Sequence, residues 1–154
     1  MTTDDVKAPW SLRSTLIAVA DLERSIEFYG ELGPFRVMAR EDAVAVVGDV
    51  TTTSPVLALR ETRGRHQARH GPQSLGVRSI TFNVGSTEEI DRIESFLRSR
   101  DLFTDRRQVR DGASDLLRGR DPDNMPLLFV HYAADTIGSD YYEEAIGLFY
   151  TLDA

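Results

Sequence analysis

The sequence predicts an α+β fold built from two βαβββ modules, because the same order of strands and helix occurs twice along the chain. Each half begins with an apolar run of strand length, at residues 12–20 and again at 77–84. Each run leads into a segment with helical spacing of apolar residues, and three short strand-like runs follow it. The two halves align when Val19 is superposed on Val84. Such internal repetition constrains the architecture as well as the local structure.

In the first half, Asp21 is placed to cap a helix with the sequence LERSIEFYGEL. Leu22, Ile26 and Tyr29 share one face of that helix, and Gly33-Pro34 ends it. Turn residues separate the strands that follow. Those strands are predicted at residues 35–39, 43–47 and 55–60.

A polar segment broken by glycine and proline, residues 61–75, is predicted to link the halves. In the second half Ser86-Thr87-Glu88-Glu89 forms a capping box, and Ile90, Ile93, Phe96 and Leu97 follow at helical spacing. Strands are predicted at 104–109, 114–118 and 126–132. We expect one domain over residues 1–154, with module one at about 11–60, module two at about 76–132 and a C-terminal helix at 139–152.

Composition narrows the possible partners. The 154 residues are 41% hydrophobic, which suits a single compact core, and the formal net charge is −7. That charge disfavours nucleic acid and anionic membrane surfaces. The absence of cysteine excludes disulfides and thiolate chemistry. With no signal-like start and no membrane-length apolar run, we expect a cytoplasmic protein.

Two motifs resemble one known family. The segment VADLERSIEFYGELG resembles the first strand and helix of the vicinal oxygen chelate superfamily, also called glyoxalase / bleomycin-resistance / dioxygenase proteins. Asp121-Pro122-Asp123-Asn124 resembles the turn before that family's last strand, with Asn124 or Met125 in place of the usual glycine. The resemblance implies that the modules curl into a half-open barrel around a cleft, commonly in a homodimer, with a divalent metal bound in the cleft.

The metal ligands of that family do not carry over to this chain. Position by position, the ligands in the first strands fall on Ser14 and Ser79, and those in the last strands fall on Ala58 and Leu128. None of these offers an imidazole or a carboxylate. We therefore expect no metal and no cofactor. His66, His70 and His131 are interpreted as surface or core residues, and Asp121 and Asp123 as turn residues.

Strand alternation identifies the side chains that would line the cleft. They form an apolar wall with a few polar groups, as small-molecule sites require. Alternation turns Glu61, the nearest acid, away from the cleft. The predicted ligand-binding residues are Ser14, Leu16, Ala58, Arg60, Ser79, Thr81, Asn83 and Leu128.

Three functions remain open at this stage. The first is a metal-free protein that binds and sequesters an antibiotic or natural product, and the acidic net charge would favour a cationic ligand. The second is a metal-independent isomerase, lyase or cyclase acting on a biosynthetic intermediate, in which Arg60 stabilises an oxyanion and Asn83, Ser14 or Ser79 positions the substrate. The third is a regulatory or structural subunit with a filled cleft. No phosphate-binding glycine loop or nucleophile elbow supports nucleotide or serine-hydrolase chemistry.

Overall fold

The structure is a computed structural model that describes residues 12–52, 56–62, 76–109 and 114–132. The predicted C-terminal helix at 139–152, His66 and His70, and most of the predicted linker lie outside these residues. The chain divides into two compact units, Met1–Arg63 and Gly64–Ala154.

Each unit contains one βαβββ module, as the sequence predicts. Module one consists of β1 (Ser14–Val19), α1 (Leu22–Leu32), β2 (Arg36–Glu41), β3 (Val44–Gly48) and β4 (Val56–Glu61). Module two consists of β5 (Ile80–Asn83), α2 (Thr87–Arg98), β6 (Phe103–Val109), β7 (Ser114–Arg120) and β8 (Pro126–Tyr132).

The two sheets have the same strand order and the same register. Module one is ordered β1-β4-β3-β2 and module two β5-β8-β7-β6, so neither four-stranded sheet closes into a barrel within the described residues. In each, the first and last strands are parallel and the other pairs antiparallel. A β-bulge interrupts β2 between Val37 and Ala39, and another interrupts β6 between Phe103 and Asp105. The repeat therefore extends to a local irregularity of the backbone.

Helix α1 has the predicted bounds and caps. The Asp21 carboxylate accepts a hydrogen bond from the Arg24 amide at 3.0 Å, and the Gly33 amide donates to the Tyr29 carbonyl at 3.2 Å. Tyr29 is fully buried and meets Phe28 edge to face, with ring centroids 5.1 Å apart. Phe28 is buried as well, whereas Ile26, on the face predicted to pack on the sheet, is only partly buried.

Helix α2 also begins where the sequence predicts. Ser86 Oγ accepts from the Glu89 amide at 3.2 Å, and the Glu89 carboxylate accepts from Arg92 Nε at 2.9 Å. Ile90 and Leu97 are fully buried. Phe96 is only partly buried, and the Arg100 guanidinium lies 3.9 Å above its ring.

Strand β5 is shorter than predicted, beginning at Ile80 and not at residue 77. The equivalent strand β1 extends to Ser14, where the Val56 amide donates to the Arg13 carbonyl at 3.0 Å. The position equivalent to Val56 in module two is Pro126, and proline has no amide hydrogen to donate. The pairing of β5 with β8 therefore starts later, and Ser79 precedes the strand.

Each sheet has a helix face, on which its helix packs, and a far face turned away from that helix. In module one the helix face is buried and the far face exposed: Ile17 is 5% accessible and the adjacent Leu16 is 60% accessible. This alternation confirms the faces predicted for β1. The buried residues of this helix face are Ile17, Val19, Ala45, Val47, Leu57 and Leu59.

Candidate functional site

The predicted metal-ligand positions in the last strands are structurally equivalent. Leu16 pairs with Ala58 across β1 and β4, and Thr81 pairs with Leu128 across β5 and β8. Leu16 and Thr81 are themselves equivalent when Val19 is superposed on Val84. The missing glycine in the turn before β8 therefore does not shift Leu128 relative to Ala58.

The residues at these positions do not fit a divalent metal. Ala58 and Leu128 have no donor atom, and Leu128 is 1% accessible in an apolar cluster with Leu116 and Val130. Serine hydroxyls, at Ser14 and Ser79, are poor ligands beside imidazole and carboxylate. Among the described residues, no group of three or more His, Asp or Glu side chains is arranged to hold a metal ion.

The far face of module one carries an open depression. Its volume is about 390 Å³, and it is lined by Leu16, Ala18, Arg60, Glu61 and Thr62. Leu16 forms an exposed apolar wall. The depression thus combines apolar surface with a small number of polar groups, which is the composition of small-molecule sites.

Arg60 and Glu61 reach this depression from opposite sides of β4. Arg60 is exposed on the far face, paired in register with Ala18 and Val44. Glu61 Oε2 accepts a hydrogen bond from the Leu22 amide at 3.1 Å, at the N-terminus of α1. A carboxylate is stabilised there by unpaired amides and by the helix dipole.

The far face of module two has a different character. Leu116, Leu128 and Val130 are buried together. Beside them Arg118 Nε donates to Asp105 Oδ1 at 2.6 Å, and this pairing lowers the pKa of Asp105. The Arg118 side chain is 11% accessible.

The predicted polar residues of module two lie near this cluster but not around a common cavity in the described residues. Thr81 pairs in register with Leu128, and Asn83 with Val130. Thr81 is partly buried, Asn83 is exposed, and Ser79 is partly buried ahead of β5. Of the predicted ligand-binding residues, the depression brings together Leu16 and Arg60 only.

His131 and Asp121 have structural partners. His131 Nδ1 is 2.8 Å from the Val84 carbonyl oxygen, which requires the proton on Nδ1. Asp121 is buried, and its Oδ1 accepts from the amides of Asp123 and Met125 at 2.8 and 2.9 Å. Asn124 has φ 72°, the left-handed conformation that asparagine tolerates. The interpretation of this segment as a turn is confirmed.

Two four-stranded sheets, each with one helix in βαβββ order, are consistent with the superfamily that the sequence resembles. The profile of the Glyoxalase/Bleomycin resistance protein/Dioxygenase superfamily matches residues 11–129. This chain belongs to that superfamily. Its membership was predicted from the motif at the first strand and helix and from the turn, and the match over residues 11–129 confirms it.

Solved structures share the fold at low sequence identity. A glyoxylase/bleomycin resistance protein/dioxygenase domain from Frankia sp. EAN1pec is 21% identical with a TM-score of 0.67, over 89% of this chain and 99% of that one. A putative glyoxalase from Bacillus halodurans is 22% identical with a TM-score of 0.64, over 78% of this chain and 94% of that one. Lactoylglutathione lyase from Agrobacterium tumefaciens is 17% identical with a TM-score of 0.57, over 81% of this chain and 96% of that one. At these identities the similarity establishes the fold alone.

No curated protein matches this chain at a significant level. In the described residues no helix is long and apolar enough to cross a membrane. The matches to known proteins thus establish the superfamily and the fold, and they identify neither a ligand nor a reaction for this chain.

Sequence reasoning missed two features of the far faces. It turned Glu61 away from the cleft and did not identify Thr62, yet both residues line the depression where β4 ends, while the Glu61 carboxylate itself accepts from the Leu22 amide. It also missed the pair of Asp105 with Arg118, which lie 13 residues apart on neighbouring strands. Only the register of β6 against β7, including its bulge, brings these two side chains together.

Proposed function

We propose that this protein is a cytoplasmic, metal-free member of its superfamily that binds a small organic molecule and sequesters it, as a bleomycin-resistance protein does. The observation that carries the proposal is the residue set at the four family ligand positions, Ser14, Ser79, Ala58 and Leu128. These residues cannot supply the metal chemistry of the family's enzymes. The apolar depression around Leu16 supports binding as the retained property.

Two measurements test this proposal together. Elemental analysis of purified protein should find far less than one tightly bound zinc, iron, nickel or manganese per chain. Calorimetry against a panel of anionic, neutral and cationic natural products should find saturable binding. Stoichiometric metal, or a panel without a single binder, would contradict the proposal.

Substitutions can locate the binding site. Leu16→Asp places a charge in the depression and should abolish binding, because the apolar wall is lost. Val50→Asp is the matched control, since Val50 is 57% accessible but does not line the depression. Equal loss of binding in both variants would place the site elsewhere.

A metal-independent isomerase, lyase or cyclase is the second candidate. It is favoured by Arg60 and Glu61, which follow each other in β4 and both line the depression, although the Glu61 carboxylate accepts a hydrogen bond from the Leu22 amide. Asn83 was predicted to position such a substrate, but it lies in module two and does not line this depression. In Glu61→Gln the side-chain amide oxygen still accepts from the Leu22 amide, but the side chain no longer accepts a proton. Turnover that is lost in this variant while ligand binding persists would establish the enzyme over the binding protein.

We further propose a homodimer in which exposed apolar side chains of β2 in module one are covered and the depression around Leu16 stays open. Val37 and Met38 are 43% and 48% accessible in the single chain. Such surfaces commonly mark sites of association. Light scattering coupled to size exclusion should give twice the chain mass. A monomer at micromolar concentration would contradict this part of the proposal.

A further inference from the structure

We propose that the depression of module one selects organic anions, with Arg60 binding the anionic oxygen group and Leu16 and Ala18 contacting an apolar body. This inference rests on the proposed binding function and specifies its ligand class. It runs against the expectation of a cationic ligand that the net charge suggests.

Arg60 presents a free-standing guanidinium at the depression within the described residues. Its side chain is exposed on the far face, and within the described residues it forms no ion pair with a carboxylate. A guanidinium offers a planar fork of donors that matches a carboxylate, sulfonate or phosphate. In this position the fork is directed to solvent beside an apolar wall.

Two acids close to Arg60 in the sheet, Glu61 and Glu41, are placed away from its guanidinium. Glu61 follows Arg60 in β4, but its Oε2 accepts from the Leu22 amide at the start of α1. The helix dipole offsets the negative charge at that place. Glu41 shares the far face but is two strands away, because Val44 pairs with both Arg60 and Glu41. Neighbouring strands are about 4.8 Å apart, so the two backbones are separated by about 10 Å.

Arg118, on the far face of module two, differs from Arg60 in its partners. Arg118 donates to Asp105 through two nitrogens and is largely buried. A guanidinium whose fork already binds a carboxylate cannot bind a second anion in the same way. Within the described residues Arg60 has no such carboxylate partner, so its guanidinium can bind a ligand anion.

The net charge of −7 does not overrule this local chemistry. At physiological ionic strength, charges more than about 8 Å apart are largely screened from each other. A ligand anion in contact with Arg60 interacts mainly with that residue, while the remaining acids slow its approach. Selectivity is decided by contact, and net charge affects the association rate.

Two fluorescent probes with the same ring system test the inference. Anilinonaphthalene sulfonate is anionic, and N-phenylnaphthylamine is its neutral counterpart. Each is titrated into wild type, Arg60→Gln, Arg60→Lys, Leu16→Ser and the control Arg40→Gln. Arg40 has the same charge and lies in the same sheet, but it pairs with Glu23 of α1 and does not line the depression.

We expect Arg60→Gln to weaken sulfonate binding about tenfold, as loss of a charge-assisted hydrogen bond does. Binding of the neutral amine should stay within about twofold of wild type. The affinity of Arg60→Lys for the sulfonate should lie between those of wild type and Arg60→Gln. Leu16→Ser should weaken the binding of both probes. Arg40→Gln should change neither.

Three outcomes would overturn the inference in distinguishable ways. If Arg40→Gln weakens the sulfonate as much as Arg60→Gln does, only net charge matters. If the neutral amine binds in a manner that depends on Leu16 but the sulfonate is indifferent to Arg60, the binding function survives and the anion preference fails. If Leu16→Ser changes the binding of neither probe, the proposed function fails together with the inference.

Discussion

The two modules of this protein share a backbone design but not a surface. Strand order, register and the position of the β-bulge coincide. Their far faces nevertheless differ at equivalent positions. Where module one has Leu16, Ala39, Val46 and Ala58, module two has Thr81, Asp105, Arg118 and Leu128.

These substitutions give the two faces different properties. In module one the exposed Leu16 lines a depression together with Arg60, which forms no ion pair within the described residues. In module two Leu128 lies in a buried cluster, and the charges of Asp105 and Arg118 neutralise each other. Conserved topology is therefore compatible with a binding surface on one module and a packed surface on the other.

The largest expected difference between the modules is in the free energy of unfolding after truncation of a far-face leucine. Leu128→Ala should lower it by about 2–5 kcal/mol, because it removes a fully buried side chain and leaves a cavity. Leu16→Ala should change it by less than about 0.5 kcal/mol, because Leu16 is largely exposed. Urea denaturation measures both. Equal changes in the two variants would show that Leu16 is buried as completely as Leu128.

Arginines at equivalent positions on the helix faces provide the next comparison. Arg106 donates to Asp91 and Glu94 of α2 at 2.6 and 2.9 Å, and to the buried Asp115 at 3.2 Å. Arg106→Gln leaves Asp115 without its charged partner and should destabilise the protein by about 3 kcal/mol.

The control for this prediction is Arg40→Gln in module one. Arg40 pairs with Glu23, which is 70% accessible, so its loss should not measurably change the urea midpoint. If the two variants lose stability equally, the network around Arg106 contributes no more than a surface ion pair.

The contrast between helix faces shows what the sequence predicts and what it does not. Periodicity and caps predict both helices and nearly all strands, because they depend on residues close together in the chain. The alternation of Ile17 and Leu16 likewise follows from the sequence. The partners of Arg106 come from α2 and β7, so they appear only once the register is known.

For the candidate site the limit lies at the strand ends. Leu16 and Arg60 were predicted as lining residues from alternation, and both line the depression. The carboxylate of Glu61 bends to the helix terminus, which depends on the packing of α1 against the sheet. That Arg60 forms no ion pair within the part of the chain that the structure describes was likewise not predictable, since it depends on where every neighbouring acid points.

A smaller effect is expected at Gly119, which is equivalent to Val47. A Cβ at Gly119 would lie 2.6 Å from Leu97 Cδ1 and 2.9 Å from the Leu102 carbonyl oxygen. Gly119→Ala should therefore destabilise the protein by about 1–3 kcal/mol, because backbone must move as well as a side chain. Val47 shows that module one accommodates a larger residue at the same place. A thermal midpoint unchanged from wild type would mean that α2 shifts without penalty.

The smallest predicted effect is a dependence of stability on pH that differs between Arg106→Gln and Arg40→Gln. Hydrogen bonds from Arg106, and then from Arg98, lower the pKa of Glu94. A carboxylate with a lowered pKa stabilises the folded state fully above its unfolded pKa of about 4.3, and this contribution is lost as the pH falls through the folded pKa. The difference in urea midpoint between wild type and Arg106→Gln should therefore be constant from neutral pH to about pH 5 and shrink below about pH 4. Arg40→Gln should follow the wild-type curve throughout. A difference for Arg106→Gln that persists undiminished to about pH 2.5 would show that packing of the arginine, and not its carboxylate partners, stabilises module two.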